Sequence, residues 1–271
     1  MNVWSQLVGQ EHAIGALRDA STPRTASGDE SASMTHSWLI TGPPGSGRSN
    51  LAYAFASALL CRNGGCGECP DCRQVAARSH PDLSVLATER VIISIEEVRK
   101  LVSSSQYSPS VSRYRVMVIE DADRMSERTS NVLLKALEEP PERTVWILCA
   151  PSEADLLPTI RSRVRSVRLR VPSVEDVAGL LERRDGVDAQ TAERAARQAQ
   201  SHIGMAHRLA TDANARERMV GRRSASLGAQ RIQTVRSGGS SSAFSSTLDV
   251  RSGIRSASSI TMTRYRPAAG E

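Results

Sequence analysis

The stretch Ser37-Trp38-Leu39-Ile40-Thr41-Gly42-Pro43-Pro44-Gly45-Ser46-Gly47-Arg48-Ser49 decides the fold. Its first five residues form a short apolar run that reads as a strand, its glycines permit a tight loop, and a helical pattern follows from about Asn50 to Leu60. A strand, a glycine-rich loop and a helix in that order aim backbone N–H groups and a helix N-terminus at one point, the arrangement that cradles a phosphate. The template G-x-x-x-x-G-K-[S/T] is met at Gly42, Gly47 and Ser49, with Gly45 inside the loop, and fails only at Arg48, where lysine is usual.

A nucleotide site of this kind also needs an apolar strand that ends in acids. Arg115-Val116-Met117-Val118-Ile119-Glu120-Asp121 supplies one. An uninterrupted apolar run is what a strand buried on both faces requires, and ligands of parallel sheets sit at the C-terminal ends of the strands. Further strands are predicted at Thr144 to Cys149 and Val164 to Arg170, with a helix between Ser126 and Glu139 that Pro140-Pro141 ends. Ser94-Ile95-Glu96-Glu97 reads as a capping box that opens a helix running to about Ser104. Strands alternating with helices in this way predict an α/β domain with a doubly wound parallel sheet.

The 271 residues suffice for one large or two ordinary domains, and 39% hydrophobic with 24% charged residues is a globular composition. No apolar run approaches the roughly 18 residues of a membrane span, and the opening residues lack the basic-then-apolar order of a signal peptide. A cytoplasmic chain without a membrane partner is expected. The net charge of +6 does not predict nucleic-acid binding by the folded part. Residues 221–271 hold eight arginines against two acids, and the preceding 220 residues balance at 27 basic and 27 acidic. Only Lys100 and Lys135 are lysines, so general drift toward arginine is the simplest account of Arg48.

Four of the five cysteines, Cys61, Cys66, Cys69 and Cys72, fall within twelve residues, while Cys149 lies in an apolar run. In a reducing compartment such clustering points to metal ahead of disulfides. The spacing C-x4-C-x2-C-x2-C, with glycines between, suits one tetrahedral Zn²⁺; an iron–sulfur cluster and unliganded thiols are the rivals. Four sulfur ligands leave no open position for water, so such a zinc is structural.

Several strings together resemble the ATPase-fold subunits of the bacterial DNA polymerase III clamp loader. They are Val8-Gly9-Gln10, the loop with a four-cysteine insert after its helix, Glu120-Asp121-Ala122-Asp123-Arg124-Met125-Ser126, Asn131-Val132-Leu133-Leu134-Lys135-Ala136-Leu137-Glu138-Glu139-Pro140-Pro141, and Thr159-Ile160-Arg161-Ser162-Arg163-Val164. The last is similar to the family's Ser-Arg-Cys motif, with Val164 in place of its cysteine. The resemblance implies an AAA+ P-loop domain over residues 1–171 with a zinc insert at 61–72, and a small helical lid over 172–216. It also implies work in DNA replication beside the gamma/tau and delta subunits, acting on the sliding clamp at primed DNA. The same resemblance implies a third, helical collar domain. Residues 217–271 are instead Ser/Arg/Gly-rich text, which predicts a disordered tail with the collar missing, by a shifted reading frame or as a lineage-specific extension.

Three departures from an active ATPase set the expectation for turnover. Guanidinium at 48 is a wide planar fork where a compact ammonium belongs. The family's Asp-Glu order is inverted to Glu120-Asp121, which shifts both the Mg²⁺ ligand and the water-polarising acid by a methylene. The lid's sensor arginine falls on His207, with Arg208 one residue late and so turned by about 100°. The chain accordingly resembles the non-catalytic delta-prime type, with ATP and Mg²⁺ doubtful as ligands and Arg163 lent to a neighbouring subunit as an arginine finger in trans. An active gamma/tau-type ATPase is the alternative, and a helicase loader a more distant one.

Overall fold

A computed structural model describes residues 2–22, 34–88 and 90–212. Strands β1 (Ser37–Thr41), β2 (Leu83–Leu86), β3 (Arg115–Ile119), β4 (Thr144–Ala150) and β5 (Arg165–Arg168) lie parallel in one sheet, in the order β2-β3-β4-β1-β5. The apolar runs of β1, β3 and β4 are central, and their pleat divides the core in two. Trp38, Ile40, Val116, Val118, Val145 and Ile147 face one layer with Leu17 of α1 (Glu11–Ser21) and Phe55 of α2 (Arg48–Leu60). Leu39, Met117, Ile119, Trp146 and Leu148 face the other with Leu101 of α4 (Ile95–Ser105) and Leu133 of α5 (Glu127–Glu138). Trp38 meets Phe55 edge to face, their centroids 5.3 Å apart, and each fully buried side chain of this size stabilises by about 1.5–3 kcal/mol.

Both predicted strands after β3 are present. The first gains Ala150, and β5 is shorter than expected, although Leu169 N still donates to Thr41 O at 2.7 Å. The capping box at Ser94 is formed, with Glu97 N donating to Ser94 Oγ at 3.3 Å and Ser94 N donating to Glu97 Oε2 at 2.8 Å. Two helices and one strand of the first half have no counterpart in the sequence reading, α1, β2 and α3 (Pro70–Ala76), the last beginning within the cysteine insert, and neither has α6 (Pro158–Arg161) after β4.

Asp82, just before β2, is fully buried and organises the loop that precedes β3. Its carboxylate accepts from Ser110 N and Oγ, each at 2.6 Å, from Val111 N at 2.9 Å and from Ser112 N at 2.8 Å, with Arg115 Nη1 at 3.8 Å. Burial alone raises such a carboxyl's pKa; the bonds from Ser110, Val111 and Ser112 outweigh it and hold Asp82 down at about 2.

After β5 comes a group of helices with its own apolar cluster. Ser173 opens α7 (Val174–Asp185) through a second capping box, Gly186 ends it at φ 62°, and Asp188 Oδ1 caps α8 (Ala189–Gln198) by accepting from Thr191 N at 2.9 Å. A third helix, α9, covers residues 203–212. Val177, Leu181, Ala192, Ala196, Ala206 and Ala210 pack together with Val8 from the N-terminal segment. The end of the helical lid expected to reach 216, and the tail at 217–271, lie outside the described residues. Among the described residues no helix is long and apolar enough to cross a membrane.

Candidate nucleotide and metal sites

The glycine loop joins β1 to α2 as predicted, at the C-terminal edge of the sheet, with β4 between β1 and β3 and Ser49 of α2 reaching across to Glu120 after β3. Gly45 and Gly47 take φ of 82° and 91°, a left-handed backbone that strongly favours glycine. Arg48 folds back so that Nη1 donates to Gly42 O, and Nη2 lies 3.7 Å from Asp121 Oδ1. Asp121 itself sits at φ 51° and has a second guanidinium, Arg124 Nη2, at 3.4 Å.

Glu120 is engaged more fully. Ser49 Oγ donates to its Oε2 at 3.0 Å, Tyr53 Oη donates to its Oε1 at 2.5 Å, and Arg78 Nη2 is 3.2 Å from that same oxygen. Burial and the Glu120 carboxylate raise the Tyr53 pKa well above the ordinary phenol value, so the hydroxyl stays protonated as the donor. Each acid of the pair therefore already has a cationic partner from the protein. In this arrangement a Mg²⁺ taking oxygen ligands in octahedral geometry would compete with a guanidinium at either acid. One feature does suit a polar ligand: Thr41 Oγ1 at the end of β1 and Ser46 Oγ within the loop are buried without a hydrogen-bond partner.

The helical group α7 to α9, where the lid is expected, contributes a residue that sequence reasoning missed. Ile203 N donates to Gly45 O at 3.3 Å, and a Cβ built on Gly45 would lie 2.5 Å from His202 Cγ. The imidazole thus covers the loop at its middle glycine. His207, the predicted sensor position, turns elsewhere: its Nδ1 is 2.8 Å from Asp185 Oδ2 within the lid, and Arg208 is exposed. The turn at 200–202 bends the chain before α9 begins, so the lid residue at the loop is five positions upstream of the one that motif spacing indicates. A single polar histidine before a helix carries no periodic signal that could have marked it.

Beside the loop a cleft of about 1160 Å³ is lined by Gln10 and His12 together with Arg161, Arg165, Arg168 and Arg170. Arg163 is not among the lining residues. It stands after α6 (Pro158–Arg161), donates from Nη1 to Thr159 O at 2.8 Å, and pairs through Nη2 with Glu138 Oε1 at 2.6 Å. The arginine run thus splits, Arg163 lying against the end of α5 and its neighbours facing the cleft.

The four cysteines converge as their spacing predicts. Their sulfurs all lie within 4.8 Å of one another, Cys61 to Cys66 at 3.8 Å and Cys61 to Cys69 at 3.6 Å. A tetrahedron with Zn–S bonds of about 2.3 Å has S···S edges of about 3.8 Å, so the set fits that ion. Backbone N–H groups already turn toward the sulfurs: Asn63 N to Cys61 and Gly67 N to Cys72, each at 3.3 Å, and Cys72 N to Cys69 at 3.4 Å. N–H bonds from Glu68 and Cys69 lower the Cys66 thiol to about 6, while burial raises Cys69 and Cys72. The cluster could hold a metal ion, and among the described residues no other group of three or more His, Cys, Asp or Glu side chains does so. Cys149 is buried apart from it, and burial raises its thiol to about 12, which makes it inert.

The insert is tied to the rest of the domain at both ends. Val3 N donates to Gly65 O at 3.1 Å, and buried His80 lies between Asp71 of α3, 3.8 Å from its Nε2, and Asp82 N, which donates to its Nδ1 at 3.1 Å. Helix α3 ends in a Schellman turn, Ser79 N donating to Gln74 O at 2.9 Å and Arg78 N to Val75 O at 3.0 Å. The left-handed position of that turn, φ 57°, is filled by Arg78 where glycine is the usual choice.

A family profile described as DNA polymerase III, delta subunit, matches residues 24–173. DNA polymerase III subunit delta' of Pseudomonas aeruginosa is 39% identical over 138 residues, covering 49% of this chain and 42% of that protein. Subunit tau of Escherichia coli is 32% identical over 184 residues, covering 66% of this chain and 27% of that protein. The chain thus spans less than half the length of these curated relatives. The RuvB Holliday junction branch migration motor of Thermotoga maritima superposes with a TM-score of 0.53 at 18% identity, over 75% of this chain and 61% of that one, which shows the fold alone. A parallel sheet with its loop after β1, acids after β3 and a four-cysteine insert, matched over more than half its length by that profile, places the chain in the DNA polymerase III delta-subunit family, among the clamp-loader subunits built on the AAA+ fold.

Proposed function

We propose that this chain is a non-catalytic clamp-loader subunit of the delta-prime type, which helps to load the sliding clamp on primed DNA in the cytoplasm alongside gamma/tau and delta subunits. The observation that carries the proposal is the charge balance at the loop. Arg48 and Arg124 accompany Asp121, and Arg78 accompanies Glu120, so neither acid is available to a metal-bound triphosphate without displacing a guanidinium. His202 over Gly45 adds a steric reason. Arg163 is the residue proposed to act on a neighbour. Its link to Glu138 is a partly exposed ion pair, worth about 0–1 kcal/mol, so its release toward another subunit's phosphates costs little. Structural Zn²⁺ on Cys61, Cys66, Cys69 and Cys72 braces the insert and takes no part in chemistry.

A second reading, an active gamma/tau-type ATPase, draws on the 32% identity with tau. The two separate in one experiment. The purified chain is mixed with gamma and delta subunits, co-elution is followed by gel filtration, and steady-state ATP turnover is measured on the chain alone and on the mixture. A stoichiometric complex with background turnover by the isolated chain is the expected result. Turnover by the isolated chain that is abolished by Glu120→Gln would establish the ATPase reading in its place.

A further inference from the structure

The residue that accompanies Glu120 comes from outside every motif of the nucleotide site. Arg78 lies six residues beyond the last cysteine of the insert, and it is presented by the Schellman turn that ends α3. Its guanidinium meets the Glu120 carboxylate at 3.2 Å and lies 4.9 Å from the centroid of the Tyr53 ring, held between an anion and a π face. Tyr53 bonds the same carboxylate oxygen, so Arg78, Tyr53 and Glu120 form a closed triangle. Glycine would fit the left-handed backbone at 78 without strain, and the arginine there puts a side chain to use.

We propose that Arg78 is a built-in counter-cation for Glu120, taking the place on the carboxylate that a divalent ion would need, and that the cysteine insert holds it there. This assignment goes beyond the non-catalytic function proposed above and rests on it. A divalent ion binding Glu120 Oε1 must displace both a guanidinium and a phenol, and one binding Oε2 must displace the Ser49 hydroxyl beside them. A polyphosphate bound at this loop therefore gains nothing from Mg²⁺. The insert becomes a second route of control over the site, since anything that loosens α3 also frees Glu120.

The test uses the full chain and a fluorescent ATP analogue, titrated once with Mg²⁺ and once with EDTA. The variants are Arg78→Gly, which suits the backbone, and Arg78→Gln, which keeps hydrogen bonding but removes the charge. For the unaltered chain, the analogue should bind no more tightly with Mg²⁺ than with EDTA. Both variants should bind at least about tenfold more tightly with Mg²⁺, the scale of one unit charge removed from a partly screened carboxylate. Arg78→Gly combined with Glu120→Gln should lose that preference. Cys72→Ser, which loosens the insert and leaves Arg78 in the chain, should shift the preference in the same direction as Arg78→Gly. Mg²⁺-dependent binding by the unaltered chain, or its absence from both Arg78 variants, overturns the assignment, and a silent Cys72→Ser overturns the insert's part in it. ATP turnover is followed in the same samples, because turnover by the unaltered chain defeats the non-catalytic function, whereas Mg²⁺-dependent binding without turnover defeats the assignment of Arg78 alone.

Discussion

Replacing Asp82 by asparagine tests whether one buried carboxylate holds the loop before β3. The native carboxylate accepts four hydrogen bonds from Ser110, Val111 and Ser112 and has Arg115 at 3.8 Å. Asparagine keeps one acceptor oxygen and turns an NH₂ donor toward N–H donors, so two of those bonds are lost and one charge goes unopposed. A hydrogen bond to a charged group contributes about 1.5–3 kcal/mol and losses within one network are not additive, which gives a net destabilisation of about 3 kcal/mol. With a urea m-value of about 2 kcal/mol/M, the unfolding midpoint should fall by about 1.5 M at neutral pH. The pH profile gives an independent check. The folded pKa lies near 2, below the usual carboxylate value near 4. The native state therefore holds this stabilisation in full above pH 4 and loses it as pH falls through 2, about 2 kcal/mol in all. Asp82→Asn should lack that component. A midpoint shift under about 0.3 M, or parallel acid profiles for the two proteins, would refute the reasoning.

Three further outcomes follow from the geometry. The purified chain should carry one zinc per molecule by elemental analysis, and Cys72→Ser should abolish it while far-ultraviolet circular dichroism of the sheet domain persists; a folded native chain without zinc would count against the site. Gly45→Ala should destabilise by about 2–4 kcal/mol in urea unfolding, because alanine is strained at φ 82° and its methyl would meet His202, and tolerance of the change would show that the lid does not rest on the loop. Arg163→Ala should change stability by less than about 1 kcal/mol, yet lower DNA-stimulated ATP turnover of a reconstituted loader by about 10³-fold or more at the affected site, with Arg161→Ala and Arg165→Ala as controls from the same run. Equal effects from all three arginines would return Arg163 to an ordinary surface role.

The sheet and both cysteine and phosphate loops were legible because each is written locally. Apolar runs such as Val116 to Ile119 declare strands buried on two faces, and four cysteines in twelve residues declare their convergence without reference to the rest of the chain. Helices α4, α5 and α7 announce themselves through capping residues placed one turn from their partners. Contacts between distant segments were not legible. Arg78 lies 42 positions before Glu120, and His202 lies 157 positions after Gly45, so no spacing rule joins them. Strand β2 was missed for a different reason: at an edge, Ser84 and Val85 are only half buried, and four residues offer too little pattern to count. The shift from His207 to His202 is a matter of turn geometry, since the residues before α9 set which side chain the lid offers to the loop.

Gln10 gives the molecule a mechanical seam. Its carboxamide donates from Nε2 to Arg170 O at 2.7 Å and accepts from Arg170 N at 3.1 Å, acting as a side-chain rung clamped to the strand's exit. One residue earlier Gly9, at φ 66°, runs so close to Pro172 and Asp176 that a side chain would strike the start of the lid, and Val8 is packed into the lid's own cluster. The pivot on which the lid would swing is therefore riveted to the first ten residues. A pull on the N-terminal segment loads that pivot directly, and the insert, fastened to Val3 through Gly65, rides on the same lever. Torque applied to any one of the three is shared by all, so the chain can pass on a displacement that it does not itself generate.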